Sequence, residues 1–396
     1  MTIPGPLTGV RVLDFSRVLA GPICGLFFAD LGADVVKIEA PGGDENRRWE
    51  PSMDGTSAGF VYMNRGKRGM TLNLKSEDGQ RILRRLVADA DVVVESYLPA
   101  DAENLGLSHE ALLEMNPRIV HVSVSAYGSQ GPMRNHPGYD LLLQAFTGIM
   151  QITGEADGPP NRAGVSVVDL STGMLAFGYA LGALYARATG RADGEHVQAS
   201  LLQSGLTLMS THVANLVIGG AEPRRQGSGL WSLVPYQAFQ ASDGWVLIGV
   251  TNDAAWQRFC TAMALDDLGA DDAHTTARGR IAHRDTIVGR IQDLVGGLSV
   301  DEVVKALEPA RVPVSRVNTV RDVIEHEQVR AIGAMVPLPG APDPSVRVVG
   351  RPVTYASPYA PLDQPAPRLG QHSAEILAEV GYTPEEIDAF RAGGAL

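Results

Sequence analysis

Two hydrophobic periodicities alternate along the first half of the chain. Residues 10–15 have the alternating, β-branched character of a strand, and residues 34–39 form the next predicted strand. Residues 23–31 between them have helical spacing, and Gly32 follows at a position typical of a helix end. Strand–helix–strand units of this kind predict parallel strands joined by right-handed crossovers.

The same alternation continues to about residue 220. It predicts further strands at residues 69–74, 90–97, 119–125 and 196–201, and further helices at residues 79–88, 109–116, 138–148, 171–189 and 202–218. Val92, Val93 and Val94 form an apolar run of the kind found in buried parallel strands. We therefore expect an α/β fold with a doubly wound, Rossmann-like parallel sheet.

The pattern changes at residues 219–230, a segment rich in Gly and Arg. Beyond it the pattern predicts a smaller α+β unit. Its elements are a hairpin turning at residues 241–244, helices at 254–263, 283–296 and 300–307, and a strand at 312–317. The chain is then Pro-rich from 335 to 367, and a last helix is predicted near residues 373–380.

Composition and charge narrow the function classes. The 396 residues carry a net charge of −12 and no long basic stripe, which gives a nucleic-acid surface little support. Cys24 and Cys260 are the only cysteines, so a disulfide scaffold is not expected. Residues 1–9 lack a basic-then-apolar run, and the apolar stretch at 173–186 is too short and Gly-rich to span a bilayer. We expect a cytoplasmic protein without membrane or nucleic-acid partners.

A Gly-containing turn at residues 19–25 is the first segment that could carry chemistry. It opens a helix whose free N–H groups could receive a phosphate. Glu39 could mimic the acidic residue of a dinucleotide site, but the glycine spacing is wrong and Pro22 removes a donor. An ordinary strand-to-helix turn explains the pattern equally well.

A basic turn forms the second segment. Arg65, Lys67 and Arg68 lie within four residues, and Lys75 follows one strand length later. Such a cluster could hold a 3′-phosphate or a pyrophosphate, although solvated surface turns have the same composition.

Asp169 marks the third segment, because it immediately precedes a long apolar helix. It could be a simple N-cap, for which Asp is a preferred residue. A carboxylate at that place also feels the positive end of the helix dipole, which would keep it ionised and suited to nucleophilic catalysis on a thioester.

Two further features carry weaker signals. The loop at residues 249–253 combines Gly249 with small polar neighbours and could close over a ligand, although an ordinary loop has the same composition. The nine histidines show no HExxH or other paired ligand spacing, so we expect no metal site.

Taken in order, the motifs resemble the family III CoA-transferases, the CaiB/BaiF family that includes formyl-CoA:oxalate and carnitine CoA-transferases. The resemblance covers nearly the whole chain. It rests on residues 9–14, 20–22, 31–39, 64–68, 72–75, 116–118, 138–140, 169, 234–236, 241–245 and 313–314.

This resemblance implies a CoA-transferase whose nucleophile is Asp169. In that family the aspartate takes the acyl group as a mixed anhydride and then carries CoA as a β-aspartyl thioester, without a metal. Tyr139 matches a tyrosine near the thioester, and residues 249–253 lie where related enzymes shield the intermediate from water. Coenzyme A and acyl-CoA are then substrates, and no permanently bound cofactor is expected.

The resemblance also implies a set of CoA-binding positions: Arg17, Val18, Leu19, Ala20, Leu72, Asn73, Lys75, Ser96, Tyr97 and position 104. Two positions depart from the family pattern, because Ala40 and Asn104 stand where relatives often carry a cation. Arg65, Lys67 and Arg68 could compensate for them.

Three other functions stay open at this point. An α-methylacyl-CoA racemase shares this fold, but it needs an acid/base pair and carries a His where this chain has Tyr139. A non-catalytic CoA-binding protein would use Asp169 for structure alone. An NAD-dependent oxidoreductase lacks support because the glycine fingerprint is missing.

The resemblance finally implies an assembly and a substrate class. Two ring-like chains would interlock as a homodimer, with a large CoA-binding domain from residues 1–220 plus 330–396 and a small domain from 221–329. Family habit suggests succinyl-CoA as donor and a small dicarboxylic or hydroxy acid as acceptor. The glycine-run loop of the formyl-CoA enzyme is absent, so oxalate is not expected as the acceptor.

Overall fold

A computed structural model describes residues 3–360 and 362–396. Its strands are β1 (Arg11–Asp14), β2 (Asp34–Glu39), β3 (Ser52–Met53), β4 (Thr56–Ser57), β5 (Arg68–Thr71), β6 (Val92–Glu95), β7 (Val120–Ser125), β8 (Glu195–Ser200), β9 (Tyr236–Ala241), β10 (Gly244–Gly249), β11 (Val314–Arg316), β12 (Met335–Pro337) and β13 (Arg347–Val349).

Helices occupy most of the remaining chain. They are α1 (Ala20–Asp30), α2 (Ala58–Asn64), α3 (Glu77–Ala88), α4 (Pro99–Asn104), α5 (His109–Met115), α6 (Asp140–Phe146), α7 (Ile149–Ile152), α8 (Val167–Ala188), α9 (Leu201–Leu208), α10 (Ser210–Gly219), α11 (Asp253–Ala262), α12 (Asp266–Ala270), α13 (Ala277–Ala282), α14 (Arg284–Gly296), α15 (Val300–Leu307), α16 (Val320–Glu325), α17 (Glu327–Ala331), α18 (Ser373–Glu379) and α19 (Pro384–Ala392). Short 3-10 helices add Glu45–Arg48 and Asp272–His274.

The chain folds into two compact units. The first contains the described residues up to Ile149, together with Arg162–Gly219 and Gly333–Leu396. The second contains Met150–Asn161 and Gly220–Ile332, so a short segment from the middle of the predicted large domain groups with the smaller unit.

A six-stranded parallel sheet forms the centre of the first unit, in the order β5-β2-β1-β6-β7-β8. Counted along the chain, this is the order 3-2-1-4-5-6 of doubly wound dinucleotide-binding sheets. The predicted parallel α/β sheet is therefore confirmed. The order reverses between β1 and β6, which are paired through Leu13 and Val93, and ligands of such sheets bind beyond the carboxyl ends at this switch point.

Helices cover both faces of the sheet because its strands are apolar on both sides. Leu13 and Phe15 of the β1 region pack into one cluster with residues of α3, α5, α18 and α19. Asp14, between them, faces the other way, where a Cβ on Gly25 of α1 would lie only 2.6 Å from its Oδ2. The sheet is thus buried on both faces, as parallel sheets are.

The structure changes several predicted boundaries. The apolar run predicted as one helix at 202–218 is two helices, α9 and α10, bent by 62° around Met209. The Pro-rich tail contains the β12–β13 hairpin, which its proline content hides. Helix α8 begins at Val167, four residues earlier than predicted, and Asp169 therefore lies inside its first turn.

Helix α8 is also longer than the apolar stretch that the sequence suggests. By length and composition alone its 22 residues could cross a membrane, so the expectation that the stretch is too short is wrong. The core helix of a globular domain passes the same test, and α8 packs against α1, β7, β8 and α9.

The second unit contains its own small sheet and core. β9 and β10 form the predicted antiparallel hairpin, with Gly244 opposite Ala241, and β11 pairs with β10. Trp256 and Phe259 of α11 are fully buried against this sheet.

Candidate active site

The loop after β1 and the turn after β6 meet at the switch point of the sheet. The backbone N–H of Arg17 donates a hydrogen bond to Ser96 Oγ at 2.9 Å. The Arg17 guanidinium carbon lies 4.8 Å from the centre of the Tyr97 ring. Three of the predicted CoA-binding residues are thus brought together at the place where this topology binds ligands.

A cavity of about 430 Å³ opens beside this loop. It is lined by five of the predicted residues: Arg17, Leu72, Asn73, Lys75 and Tyr97. Neither Arg17 nor Lys75 forms an ion pair within the described part of the chain, so both cations can meet an anionic ligand.

Val18 gives the loop its shape. Its φ of +67° lies in the left-handed region, which a β-branched residue rarely adopts. Asp44 Oδ2 accepts from the Val18 N–H at 3.3 Å, and Asn46 donates to the Val18 carbonyl at 2.8 Å. Buried Lys37 donates to Ser16 O and to Asp44, so the strained loop is held from two sides. Strain of this kind is concentrated at functional sites.

Helices α1 and α8 run side by side in the same direction. A Cβ on Gly173 would lie 2.4 Å from the carbonyl oxygen of Ala20, at the start of α1. One turn later on α8, the Phe177 ring contacts Phe28, with ring centroids 5.0 Å apart. Asp169 precedes Gly173 by one turn on the same helix face. It is therefore positioned beside the loop that contains the predicted residues Val18 and Leu19.

Asp140 supplies the cap of α8 from outside the helix. Its Oδ1 accepts from the N–H groups of Val168 at 2.8 Å and of Asp169 at 3.3 Å. Ser166 stands at the N-cap position but provides no side-chain hydrogen bond. Buried Gln144 donates to the other Asp140 oxygen at 2.5 Å. Asp169 is thus not the N-cap. Sequence reasoning missed the capping role of Asp140, although this residue lies in the motif at residues 138–140.

The electrostatics of Asp169 differ from the sequence expectation. Burial raises the pKa of its carboxyl group, and the negative charge of Asp140 raises it further, to about 7. The helix dipole, which favours the ionised form, does not outweigh these two effects. Near neutral pH the group therefore exists in both protonation states.

Tyr139 lies next to this cap but is not enclosed. Its side chain is 60% exposed, and its carbonyl oxygen accepts from Leu143 N–H at the start of α6. Backbone continuity with Asp140 places it near the amide of Asp169, and its ring is free to contact a substrate.

The basic turn at residues 64–69 has a structural role that the sequence did not reveal. Arg65 is buried, with Nη2 3.3 Å from Asp30 Oδ1. Lys67 is fully buried, with Nζ 2.8 Å from Asp14 Oδ2. Their prediction as phosphate ligands is corrected by these contacts, since both charges are already paired inside the fold.

Arg68 is likewise engaged elsewhere. Its guanidinium is bound by Asp34 at 2.6 Å, Glu375 at 2.9 Å and Glu379 at 2.5 Å. Three carboxylates around one cation leave no net positive charge for a phosphate.

Within the described chain, no further unpaired cation of this cavity replaces those that relatives often carry at positions 40 and 104. Asn104 is exposed at the end of α4, next to Leu105, which lines the cavity. Ala40 also lines the cavity. Lys37 lines it as well but is paired with Asp44 at 3.3 Å, so Arg17 and Lys75 are the unpaired cations of the described residues around this cavity.

The loop at residues 249–253 belongs to the second unit. Asn252 caps α11 by accepting from Ala255 N–H at 2.8 Å, and Asp253 binds Arg280 at 2.8 Å. Its predicted role as a shield stays a prediction.

The histidines are less scattered in space than in sequence. His109, His121 and His196 lie together beside a second cavity of about 710 Å³. The spacing of the nine histidines along the sequence did not indicate this cluster. This cluster is the other feature that sequence reasoning missed.

The fold and the site define an α/β protein with a cavity at the switch point of its parallel sheet and an aspartate in the first turn of helix α8. Residues 7–373 match the sequence profile of CoA-transferase family III, so the chain belongs to that family. Its chemistry is the transfer of CoA between acyl groups, and CoA thioesters are its substrates.

Similar proteins support the assignment. The chain is 37% identical to an acyl-CoA transferase of Fusarium pseudograminearum over 99% of this chain and 88% of that protein. It is 36% identical to succinyl-CoA:glutarate CoA-transferase of Mus musculus, over 99% and 90% of the two chains. The crystal structure of a CaiB/BaiF family protein from Brucella suis superposes with a TM-score of 0.86 at 32% identity, covering 96% of this chain and all of that one.

Proposed function

We propose that this protein transfers CoA from an acyl-CoA donor to a carboxylic acid, with Asp169 as the covalent nucleophile. The observation that carries the proposal is the position of Asp169, one turn before the contact of α8 with the start of α1 and beside the predicted CoA loop. A carboxyl group with a pKa raised to about 7 is also a stronger nucleophile, when ionised, than an ordinary aspartate.

The first half-reaction moves CoA onto the enzyme. A carboxylate oxygen of Asp169 attacks the acyl carbonyl carbon, the C–S bond breaks, and CoA leaves as thiolate, so that a mixed anhydride remains on the enzyme. The thiolate then attacks the Asp169 carbonyl carbon, and the donor acid leaves as its carboxylate. The enzyme now carries a β-aspartyl-CoA thioester.

The second half-reaction reverses these steps with a different acid. The acceptor carboxylate attacks the thioester and releases thiolate, which attacks the acceptor acyl carbon of the new anhydride. The new acyl-CoA departs, and Asp169 is again a carboxylate. No proton is consumed overall. The site must therefore bind the charged reactants and exclude water, which would hydrolyse the anhydride and the thioester.

Two features of the described residues fit these steps. The carbonyl oxygen of the attacked thioester or anhydride becomes an oxyanion at each step and needs hydrogen-bond donors. Leu19 offers α1 no side-chain cap, so the N–H groups at Ala20 and Gly21 are available at the start of that helix. Arg17 and Lys75 provide the positive charge for the phosphates of CoA.

The proposed donor is succinyl-CoA, and the proposed acceptor is a small dicarboxylic acid. The relative from Mus musculus is named for succinyl-CoA and glutarate, and its similarity extends over 99% of this chain. A panel of acceptors read by mass spectrometry, with glutarate, hydroxy acids and oxalate as members, tests this choice.

We further propose a cytoplasmic homodimer. The described monomer leaves large apolar side chains of three helices exposed: Phe146, Tyr179, Tyr185, Val217 and Ile218. A groove of about 900 Å³ also opens between α8 and β8. Apolar surface of this extent is usually covered by a partner, and a second copy of the chain fits the predicted interlocked assembly.

The decisive experiment traps the covalent intermediate. The enzyme is incubated with succinyl-CoA, treated with hydroxylamine or borohydride, and digested for peptide mass spectrometry. We expect the label on Asp169 alone, and a rate reduced on the order of 10⁴-fold or more in Asp169→Asn. Asp193→Asn, which changes an exposed carboxylate, is the matched control and keeps full activity.

Normal activity in Asp169→Ala, with no trapped label, would defeat the mechanism. Solvent deuterium incorporation at the α-carbon without acyl exchange would instead indicate the racemase chemistry of the same fold.

A further inference from the structure

Three histidines from separate elements lie against one another in the first unit. His109 is the first residue of α5, while His121 of β7 and His196 of β8 are direct partners across the two strands. The three ring centroids form a triangle, 4.3 Å from His196 to His109, 4.4 Å from His196 to His121 and 5.7 Å from His109 to His121. One ligand nitrogen of each residue lies within 4.8 Å of the others.

Two of the three histidines have ring nitrogens without hydrogen-bond partners. The nitrogens of His196 are both engaged, Nε2 with Ser123 Oγ at 2.9 Å and Nδ1 with Gln198 Nε2 at 3.1 Å. His121 is 2% exposed, and neither of its ring nitrogens has a partner among the described residues. His109 Nδ1 is also buried and unpaired there. Buried polar atoms are nearly always satisfied, by protein, water or an ion. Three orphaned nitrogens in one cluster therefore point to a bound species.

A buried carboxylate completes the donor set. Glu95 Oε1 lies 3.6 Å from His121 Nε2, and Glu95 is 3% exposed. Its other oxygen accepts from Tyr97 N–H at 2.7 Å, which fixes the side chain. No Lys or Arg of the described chain is paired with Glu95, and burial raises the pKa of its carboxyl group to about 8.

We propose that His109, His121 and His196, with Glu95 beside them, bind one divalent transition-metal ion of the zinc type. Imidazole nitrogens with a carboxylate are the ligands that Zn²⁺ prefers, at about 2.0–2.2 Å from the ion. The ion would cross-link α5 to β7 and β8 and lie next to the Glu95 carboxyl group. Nothing in the proposed transfer of CoA requires this ion.

The stacked rings describe the arrangement before the ion binds. Their planes lie within 6–16° of one another, so their nitrogen lone pairs lie in nearly parallel planes and do not converge on one point. Rotation of the rings about Cβ–Cγ would direct them to one point. The adjoining cavity of about 710 Å³, which all three histidines line, leaves room for that rotation and for entry of the ion.

Metal titration of the full-length, tag-free protein tests the site. After dialysis against a chelator, Co²⁺ is added and its visible d–d absorption is followed, and Zn²⁺ is then used to displace it. We expect one ion per chain. His196→Gln and His109→Gln should each weaken the affinity by about 100-fold or more, since even outer-shell partners contribute about 10–100-fold.

His212→Gln on α10 is the matched control, and it should bind the ion as the unmodified protein does. His109 and His196 are partly buried, so circular dichroism is used to verify that both of their variants are folded. The thermal midpoint should rise with Zn²⁺ in the unmodified protein and in the control, but not in the two variants. Absence of stoichiometric binding at micromolar metal, or equal affinity in all four proteins, would overturn the proposal, and neither readout depends on CoA-transfer activity.

Discussion

The proposed transfer depends on the protonation state of Asp169, whose pKa is raised to about 7 by burial and then by Asp140. Only the ionised form attacks, so kcat/KM for the acyl-CoA should rise with pH and level off above about 7. A plot of kcat/KM against pH between 5 and 9, with an acyl-CoA donor, measures this limb.

Replacing Asp140 by Asn should move that limb to lower pH. The amide keeps an oxygen that can accept from Val168 and Asp169 N–H, but it removes the like charge that raises the pKa of Asp169. An unchanged or upward-shifted limb would show that Asp140 does not act through its charge.

A second residue-level prediction concerns the buried pair of Lys67 and Asp14, 2.8 Å apart. Lys67→Met leaves Asp14 buried with one fewer partner, which should lower the free energy of unfolding by about 3–5 kcal/mol. Urea titration of the variant measures the loss.

The control for this change is Arg391→Met, which breaks an exposed pair with Asp388 at 3.0 Å. Exposed pairs contribute only about 0.2–1 kcal/mol. Equal losses in the two variants would contradict the structural role assigned to Lys67.

The tertiary contacts of individual side chains were the least predictable feature of this structure. The partners of Arg65 and Lys67 are Asp30 and Asp14, which are 35 and 53 positions away in the chain, so spacing could not reveal them. The same limit hid the tertiary cap by Asp140. Asp169 was found because a whole-chain resemblance, rather than its local pattern, singled it out.

Among the elements, the contact between α1 and α8 carries the geometry of the site. Gly173→Val should separate the helices, because its Cβ alone would approach Ala20 O to 2.4 Å and a backbone atom cannot swing away. We expect a lower thermal midpoint and a loss of CoA-transfer activity, measured on the same preparation.

Gly289→Ala in α14 is the comparison for this change, since a Cβ there meets no atom within 4 Å. Removing a glycine from an open helix position should stabilise by about 0.5–1 kcal/mol. If Gly173→Val were as stable and active as the unmodified protein, the close approach of α1 and α8 would not position Asp169.

Helices and strands were predicted well where the hydrophobic periodicity and the length of the segment indicated the same type of element. β2 and α15 have the bounds that the sequence indicates, because each is a short regular run between clear breaks. The bend between α9 and α10 was missed because neither Gly nor Pro marks it, although the polar residues Ser210, Thr211 and His212 follow Met209 there. The β12–β13 hairpin was missed because Pro-rich sequence argues against strands.

At the scale of the whole molecule, the exposed apolar helices predict a dimer. Light scattering after size exclusion should give twice the mass of the 42.1 kDa chain at micromolar concentration. Tyr179→Glu places a charge on α8, where the side chain is 70% exposed in the monomer, and should shift the equilibrium towards monomer. A monomeric unmodified protein would contradict the assembly.

Tyr97 stands between two places where molecules are proposed to bind. Its ring lines the CoA cavity and also the cavity of the histidine cluster, and its N–H holds Glu95. If an ion on one side moves this ring, it changes the affinity of the enzyme for the thioester on the other side. Thermodynamic reciprocity then requires that the thioester change the affinity for the ion by the same factor. Zinc availability would then tune how readily the enzyme loads its substrate, with no contact between metal and thioester.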